Sequence, residues 1–372
     1  MKKKGLLIAM LFSLVMILAA CGESAQEKFI AAFDSDNELP DQNTQKVTLK
    51  MDELSFNGME ASEQTTANML KDMSFSAQIS TDKKAERSEA KLSLDSNGLV
   101  QFTAGLDVLT NDKTGEAYIA LKDLVEPDDN LKTLLDQATN GAYSEVIAEH
   151  PDLKDKYLSS SELASLTGAE QEPVSDSVLK ASEDLRKQML AMMKDYFGKF
   201  EEDRFKEDDN GVISVTLNKA DAVSFIGELE KFFAKDSVKK EMKTILESQG
   251  AVTDFNTEYQ NIIDGLKEAN KALKENKSTD AKIKVELTPD KDKGFKKVTI
   301  KTNFSDKKDS SQKVGFTMRV ENLDYQKVAD LPKADQIVSN DEFQQIVQEI
   351  VIKMIYGDDF DTSNYDFSEN GL

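Results

Sequence analysis

The sequence predicts an α+β protein, with curved antiparallel β-sheets packed against amphipathic helices. Three observations carry this: apolar and polar residues alternate with period two near both ends, apolar residues recur at helical spacing in the middle, and the order runs hairpins, helices, hairpins, helix. Alternating strand–helix–strand units, the signature of a parallel sheet, are absent from that order.

Phe29, Ile30 and Phe33 predict a short opening helix ahead of Pro40. Val47, Leu49 and Met51 then alternate with Thr48, Lys50 and Asp52, as a half-buried strand requires, and Phe75, Ala77 and Ile79 repeat the pattern. Leu92, Leu94, Val100 and Phe102 flank Asp95, Ser96, Asn97 and Gly98, where Asn-Gly is a strong hairpin signal. Tyr118, Ile119, Ala120 and Leu121 extend the meander.

The period then changes. Leu131, Leu134, Leu135 and Ala138 start a helix, and Ser159 to Glu162 form a capping box that opens a short one ending at Gly168. The polar stretch 169–177, with Pro173, predicts a linker. Val178, Leu185, Met189, Met192, Tyr196 and Phe197 recur at helical spacing, as do Ala222, Phe225, Ile226, Leu229, Phe232 and Phe233 after an Asn218 cap, and Tyr259, Ile262, Ile263, Leu266, Ala269 and Leu273. Val212, Ile213 and Val215, then Ile283, Val285 and Leu287, Val298 and Ile300, and Val314, Phe316, Met318 and Val320 predict a second strand group. A second capping box at Ser339 to Glu342 opens a last helix through Phe343, Ile346, Val347, Ile350, Val351, Met354 and Ile355.

The chain is thereby divided into a segment 1–20, a spacer 21–26, an N-terminal sheet with helices 27–168, the linker 169–177, a helix-rich unit with a second sheet 178–356 and an acidic tail 357–372. Lys156, Tyr157 and Leu158 lead into one capped helix as Val215, Thr216 and Leu217 lead into another, so two related half-barrel-like units are one reading of the pattern.

The start of the chain has the layout of a signal peptide. Lys2, Lys3 and Lys4 precede an apolar run over 6–17, which falls short of the roughly 20 residues that span a bilayer, and small residues follow. Leu18, Ala19, Ala20 and Cys21 resemble the lipobox of bacterial lipoproteins. The resemblance implies cleavage before Cys21, a diacylglyceryl group on its thiol, and a mature chain tethered on the outer, extracytoplasmic face of a membrane. Cys21 is the only cysteine, so no disulfide competes for it. Cleavage removes three lysines and no acid, taking the net charge from −22 to −25. Such a surface repels phosphate backbones, and nucleic acid is not an expected partner.

Enzymatic chemistry finds little support. The single histidine, His150, stands before Pro151 in a polar stretch that reads as a solvated loop, with no nucleophile elbow to serve. One histidine and a committed cysteine exclude a zinc cluster. Asp290 to Gly294 resembles an EF-hand start, but its glycine is one position early and the twelfth position is Lys301; Glu207 to Gly211 lacks the spacing altogether. Both read as β-turns. Gly357, Asp358, Asp359, Phe360 and Asp361 could hold a cation only weakly. No catalytic residue, cofactor or metal ligand is assigned.

A lipobox, polar-alternating antiparallel strands and amphipathic helices together resemble the half-barrel lipoprotein carriers of the LolA, LolB and mycobacterial LppX types. The resemblance implies acyl chains held between a curved sheet and its helices. Met189, Met192, Met193, Phe197, Phe225, Phe232 and Phe233 would either line such a cavity or fill an ordinary core, and their helical spacing favours the core. The expected function is therefore a non-enzymatic, membrane-anchored protein binding a lipid or an envelope partner. The alternatives are a solute receptor for an ABC importer, which needs two doubly wound lobes, and an adhesive surface protein using sheet edges. Lys282, Lys284, Lys297 and Lys301 on polar strand positions read as edge protection or a solvated face. Lysine greatly outnumbers arginine, which suits a Gram-positive source.

Overall fold

The computed structural model describes residues 24–34, 40–98, 100–162, 176–248, 254–290, 294–309 and 311–356. Its strands are β1 (Gln42–Ser55), β2 (Met73–Asp82), β3 (Arg87–Asn97), β4 (Gln101–Asn111), β5 (Ala117–Ala120), β6 (Tyr157–Ser159), β7 (Lys206–Glu207), β8 (Ile213–Leu217), β9 (Thr279–Asp290), β10 (Gly294–Asp306), β11 (Lys313–Leu323) and β12 (Ile337–Val338). Its helices are α1 (Ala25–Ala31), α2 (Ala61–Lys71), α3 (Lys122–Val125), α4 (Asp129–Ala138), α5 (Ala142–Glu149), α6 (Asp176–Phe197), α7 (Lys219–Phe233), α8 (Asp236–Ser248), α9 (Phe255–Glu275) and α10 (Asn340–Tyr356).

The α+β class is observed, with the strands in one curved, unclosed sheet of order β12-β6-β5-β4-β3-β2-β1-β11-β10-β9-β8-β7. The two strand groups of the sequence are therefore joined. Val47 on β1 stands opposite Ala77 on one side and Val320 on the other, so β1 is the seam between early and late strands. Every neighbouring pair is antiparallel except β6 and β12, which run parallel through Tyr157 and Ile337. Both places where a strand was predicted to lead into a helix do so, at β6 and at β8.

Because strand side chains alternate and register is continuous, one face of the sheet is apolar from end to end. Ile213, Leu287, Val298, Val320 and Val47 form one row of partners, which continues through Ala77, Leu92 and Leu106. Helices cover the two ends of this face. Over β8 to β11 and β1, a buried cluster joins Phe29 and Phe33 to Leu190, Tyr196 and Phe197 of α6 and to the strand residues. Phe29 is fully buried, its ring 5.0 Å from Phe197 and 5.1 Å from Phe205. A second cluster ties α6 to α7, α8 and α9. At the far end Leu158 and Val338 pack with Val146 of α5 and Ile346 of α10.

The polar face is crossed by the connection from β11 to β12. Gln326 donates its backbone N–H to Thr44 Oγ1, its side chain meets Gln78, and Arg87 pairs with Asp330 at 2.6 Å. Val328, within this strap, is fully buried.

Local chemistry sets the helix starts. Ser24 and Glu27 form a reciprocal capping box, so α1 begins inside the stretch predicted as a spacer. Asn218 and Asp221 do the same for α7. α6 starts at Asp176, within the predicted linker, while the rest of that linker and the helix end at Gly168 lie outside the described residues. Ser159 Oγ accepts from Glu162 N at 3.2 Å, as its capping box predicts.

Candidate apolar binding face

Between the helix-covered ends, and among the described residues, no helix joins the apolar face of β2, β3 and β4 in a buried cluster. Three rows of paired residues build it. Gln45, Ile79, Ala90, Val108, Ile119, Leu158 and Val338 form the first. Val47, Ala77, Leu92 and Leu106 form the second, and Leu49, Phe75, Leu94 and Ala104 the third. Phe75, Ile79, Leu94 and Leu106 are 38%, 38%, 36% and 38% exposed, and none of the β2 to β4 residues in these rows joins a buried cluster.

The chemistry of this floor is uniform. On β2, β3 and β4 the positions of this face, from Phe75 to Thr81, Ser88 to Ser96 and Phe102 to Thr110, carry no charge, in a chain of which 31% is charged. Ala77, Ala90 and Ala104 stand opposite larger partners in these rows, Leu92, Ile79 and Leu94. From β1 to β5 the floor spans four strand steps, about 19 Å. Contiguous exposed apolar surface costs solubility and marks interaction sites.

The rim is helical. α10 shares the apolar side of the sheet, since Ile346 packs on Leu158 and Val338, yet Val347, Val351, Met354 and Ile355 remain exposed along it. α5 holds α10 from one flank through Lys353, which reaches Glu149 at 2.9 Å and Glu145 at 3.7 Å, and through His150 Nε2, 3.3 Å from Glu349 Oε2. His150 is thus a half-buried helix-end residue with a carboxylate partner, a correction to its reading as a solvated loop histidine. The loop reading failed because Glu349 lies far along the sequence. α4 lies beside the part of β4 that β5 leaves unpaired, where Asn130 Nδ2 donates to Gln101 O. Near the end of β1, α2 and Leu54, Phe56, Met59 and Leu70 enclose an open depression of about 420 Å³.

The methionine and phenylalanine stripes do not line this face. Phe197 belongs to the sheet core, Met189, Met192, Phe232 and Phe233 to the helix core, and Met193 and Phe225 pack against both. The lysines of β9 and β10 are not edge guards, because both strands are interior. Instead they neutralise acids on the polar face: Lys284 and Lys301 lie 2.6 and 2.9 Å from Glu286, and Lys297 3.7 Å from Glu321. Burial works to raise the Glu286 pKa, but hydrogen bonds from the two lysines outweigh it and hold the carboxyl below its usual value.

The acidic segments are structural. Asp208 Oδ1 accepts from the N–H groups of Asn210 and Val212, closing the β7–β8 turn with Gly211 at φ 74°. Asp290 and Gly294 pair at the end of the β9–β10 hairpin. Among the described residues, no group of three or more His, Cys, Asp or Glu could hold a metal ion. Cys21 and the 357–372 tail lie outside the described residues.

No protein-family model matches this chain, and neither a curated protein nor a solved structure matches it.

Proposed function

We propose that this chain is a lipid-anchored, extracytoplasmic protein without enzymatic activity that binds an apolar ligand of the lipid class on the apolar face of β2, β3 and β4. The anchor is a diacylglyceryl group on Cys21, and the location is the outer face of the cytoplasmic membrane of a Gram-positive cell. The observation that carries the ligand reading is the uncharged floor around Ile79, Leu94 and Leu106, each more than a third exposed, between two helix-covered ends. An acyl chain laid on it gains about 0.8 kcal/mol for each CH₂ removed from water. The site is an open cradle on the strands, unlike the enclosed cavity that the helix stripes would have supplied.

An ABC-importer receptor is disfavoured by a single, almost wholly antiparallel sheet in place of two doubly wound lobes. Adhesion through sheet edges is disfavoured because the end strands β7 and β12 pair over two residues each. A partner helix from another envelope protein is the second reading, since a floor about 19 Å across has room for one helix, about 10–12 Å wide with its side chains.

The test is native mass spectrometry of the protein purified gently from its own host, followed by denaturation and lipid analysis. A stoichiometric co-purifying lipid is the expected result. A bare mass across several gentle preparations would overturn the lipid reading and favour the partner protein.

A further inference from the structure

The lipobox cysteine and the capped start of α1 are close in sequence. From Cys21 to Ser24 the chain has three steps, and fully extended these reach about 10 Å. From Ser24 onward the position is fixed: the capping box sets the start of α1, and Phe29, Ala32 and Phe33 are buried in the sheet core. Two more contacts hold the helix start to the sheet edge. Gln26 Nε2 donates to Phe200 O at 2.6 Å, and Lys28 Nζ lies 2.7 Å from Glu207 Oε2 on the end strand β7.

We infer that the edge of the sheet made by β7, the start of α1 and the 198–206 connection is the surface held against the headgroups of a lipid bilayer. This rests on the proposed acylation of Cys21. The length of the link enforces the approach. Charge does not favour it, because the connection presents Glu201, Glu202 and Asp203 to solvent. Membrane affinity comes from the acyl chains, so proximity of this edge is insensitive to salt, unlike the binding of a basic surface. β3, at the middle of the apolar floor, is seven strand steps from β7, about 34 Å along the sheet. A short tether therefore presents the floor in a restricted range of orientations, where a long linker would let it tumble.

The test uses the full acylated protein in phosphatidylcholine vesicles that carry a headgroup quencher. One fluorophore is placed by Glu202→Cys at the proposed edge and another by Lys113→Cys in the β4–β5 turn; both side chains are exposed and away from the core. Quenching several-fold stronger at 202 than at 113 is expected, unchanged in high salt. Inserting a twenty-residue Gly/Ser linker, about 25 Å in r.m.s. length, after Gly22 brings position 202 down to the level of 113. Equal quenching at both positions with the natural link, or no change on insertion, would overturn the inference. Mass analysis of the same samples reports acylation separately: an unmodified Cys21 sinks the anchor itself, whereas an acylated protein with equal quenching sinks only the orientation.

Discussion

Tyr325 donates its hydroxyl to Asp82 Oδ2 across 3.1 Å, and the same hydroxyl accepts from Val328 N at 3.4 Å. One side chain thus pins the strap from β11 to β12 onto the polar face of β2. The strap carries β12 and α10 back to the far end of the sheet, so it positions the rim of the apolar floor. Val328→Ala, which empties a fully buried position, is expected to cost roughly 2 kcal/mol. Tyr325→Phe should cost about 1 kcal/mol. Urea denaturation checks both, and a neutral Val328→Ala would show that the strap contributes nothing to stability.

The floor is expected to separate stability from binding. Leu106 is 38% exposed and outside every buried cluster, so Leu106→Lys should change stability by less than about 1 kcal/mol. A charge there places an ammonium under any apolar ligand, and retention of co-purified lipid should fall at least tenfold. Lys113→Glu, in the β4–β5 turn, is the control and should leave retention unchanged.

Arg204 grips α7 at its start. Its guanidinium meets Asp221 Oδ1 at 3.1 Å and Oδ2 at 2.7 Å, donates to Thr216 O at 2.7 Å and lies 4.3 Å over the Phe200 ring. Lysine cannot reproduce a planar fork that pairs and stacks at once, so Arg204→Lys should cost about 1–2 kcal/mol by thermal or urea unfolding.

Acid should destabilise this protein through several carboxylates. Asp82 is held below its ordinary pKa by the Gln42 side chain, the Ala85 N–H and Tyr325; Asp221 is held there by Arg204 and the Asn218 N–H against an opposing effect of burial. A folded-state pKa below the unfolded one gives stability that is full above the unfolded value, near pH 4, and is lost as pH falls through the folded value. Unfolding free energy should therefore be flat from neutrality to about pH 5 and decline below pH 4, with the decline shallower in Asp82→Asn.

Cys21→Ala should leave an unprocessed, unacylated chain, and cell fractionation with acyl labelling reads this directly. Unchanged labelling would remove the anchor from the proposed function.

Some elements were readable because a stripe or an alternation needs only local residues. Val47, Leu49 and Met51, Phe75 to Ile79, and the three long helical stripes all stand where the pattern put them. α2 was missed because its only buried residue is Ala67, which leaves no stripe to read. α8 was missed although Val238 and Met242 have helical spacing and are buried.

By itself the sequence determined the α+β class, the face of each strand that is apolar and the caps at Ser159 and Asn218, because period and cap chemistry are local properties. Tertiary structure decided that β1 pairs with β11 to make one sheet, that His150 meets Glu349, and that Ile79, Leu94 and Leu106 are more than a third exposed while Val285, Val298 and Val320 are buried. The buried strands β9 to β11 and the half-exposed strands β2 to β4 alternate identically. Alternation states which face is apolar, and only the packing of distant helices states whether anything lies on it.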